Sequence, residues 1–320
     1  MIVDLPSSTT SAVNRKIVEL RERGGVLALG RVLTLVIITD DGADIEDSIA
    51  AANSASREHP CRVIVLARGQ RRAAARLDAQ IRVGGDAGAS EVIVLRGYGP
   101  LANDDAAAGM VIPLLLPDAP VVAWWPAEAP AVPSEHAVGK LAQRRITDAL
   151  SSKNPLKSFE QRRANHVAGD TDLTWTRLTL WRALLATALD APPHEPVTGA
   201  VVSGESISPS TDLLAGWLAV RLDAKVKRSP TESGAGLVTV RLDRRSGPVE
   251  LVRPDGKVGT LRQPGQPDRL VALARREVRD CLAEELRRLD PDEIYGEALT
   301  GIGRITRGRT PVKVPVLGGA

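Results

Sequence analysis

Aromatic side chains are scarce in this sequence. Only eight of 320 residues are aromatic, five Trp, two Tyr and one Phe, so a surface that stacks successive nucleic-acid bases is not expected. The net charge of +3 is also too small for a strong electrostatic footprint on nucleic acid. Two cysteines, Cys61 and Cys281, can build neither a disulfide framework nor a four-ligand zinc site. No uninterrupted apolar run approaches the roughly 20 residues that a membrane helix needs. The opening MIVDLPSSTTSAVNRK lacks a basic stretch followed by an apolar core, so no secretory signal is read there. A cytoplasmic protein with neither a membrane nor a nucleic-acid partner is the expectation.

Recognisable catalytic patterns are missing as well. The four histidines, His59, His136, His166 and His194, stand in polar or Pro-rich contexts. There is no G-x-S-x-G elbow, no H-E-x-x-H and no P-loop. His59 lies near Cys61, but Cys61 opens an apolar stretch and reads as a buried structural residue. Catalytic residues, a cofactor site and a metal site are therefore not assigned.

What is present suits a folded protein: 43% hydrophobic and 25% charged residues. The length suggests two domains, read as an N-terminal domain over 1–168 and a C-terminal domain over 169–303. A basic tail, 304–320, follows. Residues 1–150 carry 16 Lys and Arg against 18 Asp and Glu, whereas residues 151–320 carry 26 against 21. That asymmetry gives the second half a slight preference for acidic surfaces.

The first half reads as α/β, a mostly parallel sheet of about five strands with flanking helices. Val13, Ile17 and Leu20 mark one face of a helix over Ser11–Arg23. Val32–Thr39 (VLTLVIIT) is a β-branched run suited to a strand covered on both faces. A helix from Asp44 to about Arg57 and a second buried strand, Cys61–Ala67, complete a strand–helix–strand unit. Leu77–Val83 alternates like an edge or half-exposed strand, and Glu91–Leu95 reads as another strand. A helix over Asp105–Leu116 is interrupted by Pro113. Val121–Trp125 (VVAWW) reads as the last strand, closed by Pro126.

The second half reads as a further α/β domain of α+β character. A basic helix over Lys153–Asn165 leads into a core helix over Leu173–Asp190, with Trp175, Leu178, Trp181 and Leu185 on one face and Leu180 and Leu184 beside them. Strands are expected at Val197–Val202, Lys225–Lys227, Leu237–Leu242, Val249–Val252 and Val258–Arg262, the last two as a hairpin. Helices are expected at Ser210–Leu222 and Arg269–Leu289.

Open α/β sheets bind ligands at the carboxyl ends of their strands. Here the first such turn is TDDGADIED, crowded with Asp40, Asp41, Asp44, Glu46 and Asp47. These acids suit the positive end of a helix but repel a phosphate. Capping and solvation explain them better than a metal site. The stretch GGDAGAS at Gly84–Ser90 lacks both the P-loop lysine and the dinucleotide spacing, and reads as a turn.

Longer strings carry more information. SREHPCRVIVLARG at Ser56–Gly69, LDAQIRVGGDAGASEVIVL at Leu77–Leu95 and LPDAPVVAWWPAEAP at Leu116–Pro130 resemble the glucose-6-phosphate dehydrogenase assembly protein family, OpcA, in its actinobacterial form. LAQRRITDAL at Leu141–Leu150 and the Trp-bearing stretch Leu173–Asp190 extend the resemblance. It implies a non-catalytic partner of glucose-6-phosphate dehydrogenase in the oxidative pentose phosphate pathway, acting on assembly or as an allosteric activator. Candidate partner-contact residues are Trp124, Trp125 and Pro126: either one ring enters the core and the other faces outward or lines the strand-end crevice, or helices cover both rings. The cluster Arg68, Arg71, Arg72 and Arg76 is next, then Arg144 and Arg145. The alternative is an enzyme or sensor that takes a sugar phosphate or NADP in the strand-end crevice.

Overall fold

The β-branched runs of the first half become the centre of a sheet in the computed structural model, which describes residues 1–24, 32–42, 45–83, 91–232 and 236–313. In chain order the first elements are β1 (Ile2–Leu5), α1 (Thr10–Gly24), β2 (Leu33–Asp40), α2 (Ile45–Ser56), β3 (Cys61–Arg68), β4 (Arg76–Arg82) and β5 (Glu91–Tyr98). Then come α3 (Asp104–Val111), β6 (Val121–Trp124), β7 (Arg144–Thr147), α4 (Pro155–Ala164), β8 (Asp170–Asp172), α5 (Leu173–Thr176) and α6 (Thr179–Asp190). The chain continues with β9 (Gly199–Gly204), α7 (Pro209–Arg221), β10 (Lys225–Pro230), β11 (Leu237–Asp243), β12 (Val249–Val252), β13 (Val258–Arg262) and β14 (Arg269–Ala272). It ends with α8 (Val278–Arg287), α9 (Glu293–Gly301) and β15 (Thr306–Arg307).

Two units share these elements. The first comprises Met1–Lys153, Ala164–Leu173 and Glu277–Pro291; the second comprises Asn154–Arg163, Thr174–Arg276 and Asp292–Ala320. Most of α4 thus lies with the second unit, and α8 with the first.

The first unit is built on a sheet ordered β1-β4-β5-β3-β2-β6-β7-β8. From β5 to β8 all neighbours are parallel, while β4 runs antiparallel to β5 and β1 antiparallel to β4. Its two faces hold separate cores. Leu35, Ile37, Val63 and Val65 meet α2 and α8 through Ile49, Ala52, Leu282 and Leu286. Val36, Ile38, Ile64 and Leu66 meet α1 and α3 through Val13, Ile17 and Met110. This explains why β2 and β3 have no polar alternation: each face is dry, and each buried Val, Leu or Ile stabilises by about 1.5–3 kcal/mol.

Val121–Trp124 is not the last strand, as the sequence suggested. The short polar segments β7 (RRIT) and β8 (DTD) follow it; they carry no apolar period and join the sheet through backbone pairing and buried ion pairs. The alternating β4 is covered at its outer side by β1, which no sequence signal marked. The Gly84–Ser90 turn and Asp44 lie outside the described residues.

The second unit has a sheet ordered β14-β13-β12-β11-β9-β10-β15. Strands β9, β10 and β15 are parallel, and β11 to β14 form an antiparallel meander against β9. The expected β12–β13 hairpin is present; Asp255 Oδ1 accepts from the amides of Lys257 and Val258 in its turn. The single helix expected over Arg269–Leu289 is instead β14 followed by α8. Leu270 and Val271 pair with β13, extending the meander before the Arg/Glu-rich helical pattern begins.

The expected helix over Leu173–Asp190 also breaks, at Arg177–Leu178, between α5 and α6. Trp175, Leu178, Trp181 and Leu185 are nevertheless all buried, while Leu180 is exposed. Helices α7 and α9 touch through glycine. A Cβ on Gly216 would lie 2.3 Å from the Ala298 carbonyl oxygen, and one on Gly301 2.1 Å from that of Gly216. Of the segment read as a basic tail, Thr306–Arg307 pairs with β10.

Candidate functional site

The carboxyl ends of the parallel strands in the first unit carry a continuous polar network. Register sets Asp40, the last residue of β2, beside Arg68, the last of β3. The Arg68 guanidinium contacts Asp40 at 3.0 Å and Asp104, the first residue of α3, at 3.1 Å. Asp104 in turn lies 3.5 Å from His136 Nε2. The His136 ring stands edge-on to Trp125, with 5.3 Å between centroids. On the next strand, Arg96 reaches Asp41 at 3.4 Å and the Tyr98 hydroxyl donates to Asp41 at 3.1 Å.

Protonation states follow from these contacts. His136 Nδ1 accepts from the Val138 amide, so the neutral ring carries its proton on Nε2, facing Asp104. Burial lowers the His136 pKa below its ordinary value, against the opposing pull of Asp104. For Asp104, burial alone would raise the pKa, but the Arg68 hydrogen bond and charge, with His136, bring it below the ordinary value. His136 Nδ1 is thus engaged within the chain, while Nε2 approaches Asp104 at 3.5 Å without a hydrogen bond among the described residues. The network is rich in carboxylates: a phosphate would meet Asp40, Asp41 and Asp104, with Arg68 and Arg96 already shared among them. The arrangement suits a rim of both charge signs better than a nucleotide cradle.

The loop after β3 forms the basic part of that rim. Gly69 donates to the Gly97 carbonyl at 2.9 Å, and Gly99 to the Gln70 carbonyl at 2.9 Å. A Cβ on Gly69 would strike the Tyr98 ring at 2.5 Å, and Gly99, at φ +62°, sits 2.5 Å from the Ala73 carbonyl by the same measure. Only glycine allows the loop to lie this close. Arg76 stacks over Tyr98 at 4.3 Å and bonds Asp78. Arg71 and Arg72 are exposed; among the described residues neither makes an ion pair. Beside them a depression of about 440 Å³ is bounded by Ser7, Ser8, Ala74, Leu77 and Leu101.

The other candidate contact residues lie elsewhere. Trp124 and Trp125 are both fully buried, Trp124 in the α2/α8 core and Trp125 in the α1/α3 core. The alternation of adjacent side chains holds, and of the two arrangements open for the rings it is the covered one that occurs, because helices lie on both sheet faces. Pro126 is half-buried. Arg144 and Arg145 are buried on β7. Arg144 pairs with Glu285 at 2.6 Å. Arg145 pairs with Asp170 and donates to the Ala142 and Ala168 carbonyls. The sequence reading missed Asp104, His136, Arg96 and Tyr98. The acidic pair Asp104–Asp105 at a helix start was the one local signal, and nothing in the sequence joined it to His136.

Among the described residues no helix is long and apolar enough to cross a membrane, and no three His, Cys, Asp or Glu side chains cluster as a metal site would require. Comparison with known proteins gives a consistent answer over most of the chain. Residues 52–164 match the family described as glucose-6-phosphate dehydrogenase subunit N-terminal domain, and residues 168–299 match its C-terminal domain. A protein of Synechocystis sp. described as an OxPP cycle protein, OpcA, is 28% identical over 218 residues. That alignment covers 62% of this chain and 44% of the relative, so the chain matches less than half of the relative's length. Among solved structures, an oxidoreductase from Sinorhizobium meliloti is 12% identical, with 85% and 86% of the two chains covered and a TM-score of 0.42. A myo-inositol 2-dehydrogenase from Lactobacillus plantarum is 7% identical, with 87% and 91% covered and a TM-score of 0.31. Likenesses this low carry no functional weight. The two domain matches, in order and spanning both units, show that this chain belongs to the OpcA family of glucose-6-phosphate dehydrogenase assembly proteins.

Proposed function

We propose that this chain binds glucose-6-phosphate dehydrogenase and promotes its active assembly or activates it allosterically, without turning over substrate itself. The observation that carries this reading is the pair of family matches over residues 52–164 and 168–299. In physical terms the chain binds one oligomeric or conformational state of the enzyme better than the others, and the population shifts by that difference in affinity. The reading includes a cytoplasmic location, a protein partner and no cofactor, membrane or nucleic acid.

The rim at Arg68, Arg71, Arg72 and Arg76 is the contact surface we assign. Arg71 and Arg72 are exposed and held on a glycine-locked loop, so docking an acidic partner surface needs little ordering of the backbone. Asp40, 64% exposed at the same rim, supplies an acceptor for a basic partner group. The enzyme or sensor alternative is disfavoured in this crevice by its three carboxylates.

The test is co-purification with the cognate dehydrogenase, followed by steady-state kinetics with and without this chain. Complex formation with a rise in dehydrogenase activity or substrate affinity is expected. No complex and no kinetic change would overturn the reading. Charge reversal of Arg71 and Arg72 tests the surface separately; unchanged binding there removes the interface assignment and leaves the function standing.

A further inference from the structure

The turn between β9 and α7 in the second unit holds polar groups that neither its fold nor the proposed partner contact uses. β9 ends at Gly204 and α7 starts at Pro209, and both flank the parallel neighbour β10. Loops at the carboxyl ends of such parallel strands are where α/β folds take ligands. Ser208 stands at the N-cap of the 13-residue α7, yet its hydroxyl makes no capping bond. It is 1% exposed, and among the described residues its Oγ has no hydrogen-bond partner. Thr211, one turn further on and fully buried, likewise leaves Oγ1 without a partner among the described residues. Buried hydroxyls rarely go unmatched in folded proteins.

The two hydroxyls converge on a backbone stripped of side chains. A Cβ on Gly204 would lie 2.5 Å from Thr211 Oγ1 and 2.4 Å from the Gly236 carbonyl oxygen. One on Gly236, at φ +69°, would lie 3.8 Å from Ser208 Oγ and 2.8 Å from an Arg275 guanidinium nitrogen. Arg275 is exposed and, among the described residues, has no ion pair. The turn is braced from behind: Arg228 donates to the Glu205 and Ser206 carbonyls. The buried carboxylate nearby, Asp212, is neutralised by Arg228 and Arg307. One further acid faces the turn, Glu205, whose Oε2 accepts from the Gly236 amide at 3.0 Å.

We propose that the β9–α7 turn binds a phosphate-bearing small molecule. The Ser208 and Thr211 hydroxyls and the Ser210 amide receive its oxygens, and Arg275 neutralises its charge. Pro209 has no N–H and the Thr211 amide donates to the Ser208 carbonyl, so the helix end contributes the Ser210 amide and positive potential, and the hydroxyls add further donors. Glu205 now takes a donor, the Gly236 amide, that a phosphate would compete for. The site is independent of the Arg71–Arg72 rim.

Calorimetric titration and thermal unfolding of the full chain, with inorganic phosphate, glucose 6-phosphate and AMP as probes, test it. Tighter binding of glucose 6-phosphate than of inorganic phosphate identifies a sugar phosphate, and tighter binding of AMP a nucleotide. Either result supports the proposal. Arg275→Ala and Ser208→Ala should each weaken binding by about tenfold or more, and Glu205→Gln should tighten it. Thr211→Val is the sharpest variant: it keeps shape and removes an unpartnered hydroxyl. The ligand-free protein should unfold at the same or a higher temperature while affinity falls. No binding by any probe, binding of inorganic phosphate alone as an adventitious ion only, or binding untouched in Thr211→Val and Arg275→Ala would each overturn it.

Discussion

The tripeptide Gln-Arg-Arg occurs at 70–72, 143–145 and 161–163, and the first two copies have opposite outcomes. Arg71 and Arg72 stand exposed on a loop, whereas Arg144 and Arg145 are 3% and 8% exposed on β7. Identical local sequence therefore does not decide whether an arginine faces solvent. The difference lies in distant carboxylates. Glu285, 141 residues away in sequence, meets Arg144, and Asp170 meets Arg145. A buried guanidinium is tolerated only where such partners and carbonyl acceptors satisfy its fork. The first pair faces solvent; the second is held inside the sheet by its ion pairs.

The largest effects should come from the buried side of this comparison. Trp125→Ala removes a fully buried ring from the α1/α3 core and should cost about 3–5 kcal/mol, measured by urea unfolding. A small loss would mean that the ring is not in the core. Arg144→Ala should cost a similar amount, about 3–5 kcal/mol, because Glu285 is left charged and buried. Replacing both Arg144 and Glu285 with Met should recover most of that loss. Failure to recover would point to the Arg144 bond to the Asp290 carbonyl as the larger contribution.

A smaller, pH-dependent effect tests the network that Arg68 organises on the exposed side. In the unfolded chain His136 titrates near 6.5, and burial lowers its pKa in the folded chain. Between these values the unfolded state binds more protons, so stability is complete above about pH 6.5 and declines as pH falls through the window below it. Asp104 has the same sign further into acid, its pKa lying below 3.8 when folded. His136→Gln should flatten the decline between about pH 7.5 and 5.5, leaving the part due to His166, which burial shifts the same way. An unchanged slope would remove His136 as its source. The smallest effect on stability belongs to Arg71→Glu with Arg72→Glu, expected within about 0.5 kcal/mol of the parent, while binding to the dehydrogenase weakens. A large loss of stability there would erase the distinction between the Gln-Arg-Arg sites at 70–72 and 143–145.

Much of the fold was legible in the sequence because it rests on apolar period. The continuous runs of β2 and β3, the α7 face carrying Leu213, Leu214 and Leu218, and the β12–β13 hairpin needed no tertiary information. Strands β7 and β8 were not legible: RRIT and DTD contain almost no apolar signal, and their pairing depends on ion pairs between residues 25 apart. Strand β14 and helix α8 were merged because Arg and Glu suit a helix wherever solvent faces them; the β13 neighbour decides otherwise. The candidate site divides in the same way. The arginine cluster at 68–76 stands out in the sequence, but Asp104 and His136 join it only when α3 and the loop after residue 133 meet the strand ends.

The sequence by itself determined the class of the protein: two α/β units, the family, and a Trp pair on alternating faces of a strand. Those depend on side-chain period and on long local strings, which the chain carries with it. Tertiary structure decided that both Trp rings are covered, which of the Arg pairs at 71–72 and 144–145 faces solvent, and which hydroxyls lie buried without partners among the described residues. Each of these depends on what packs against a residue from far along the chain, and no local pattern encodes that neighbour.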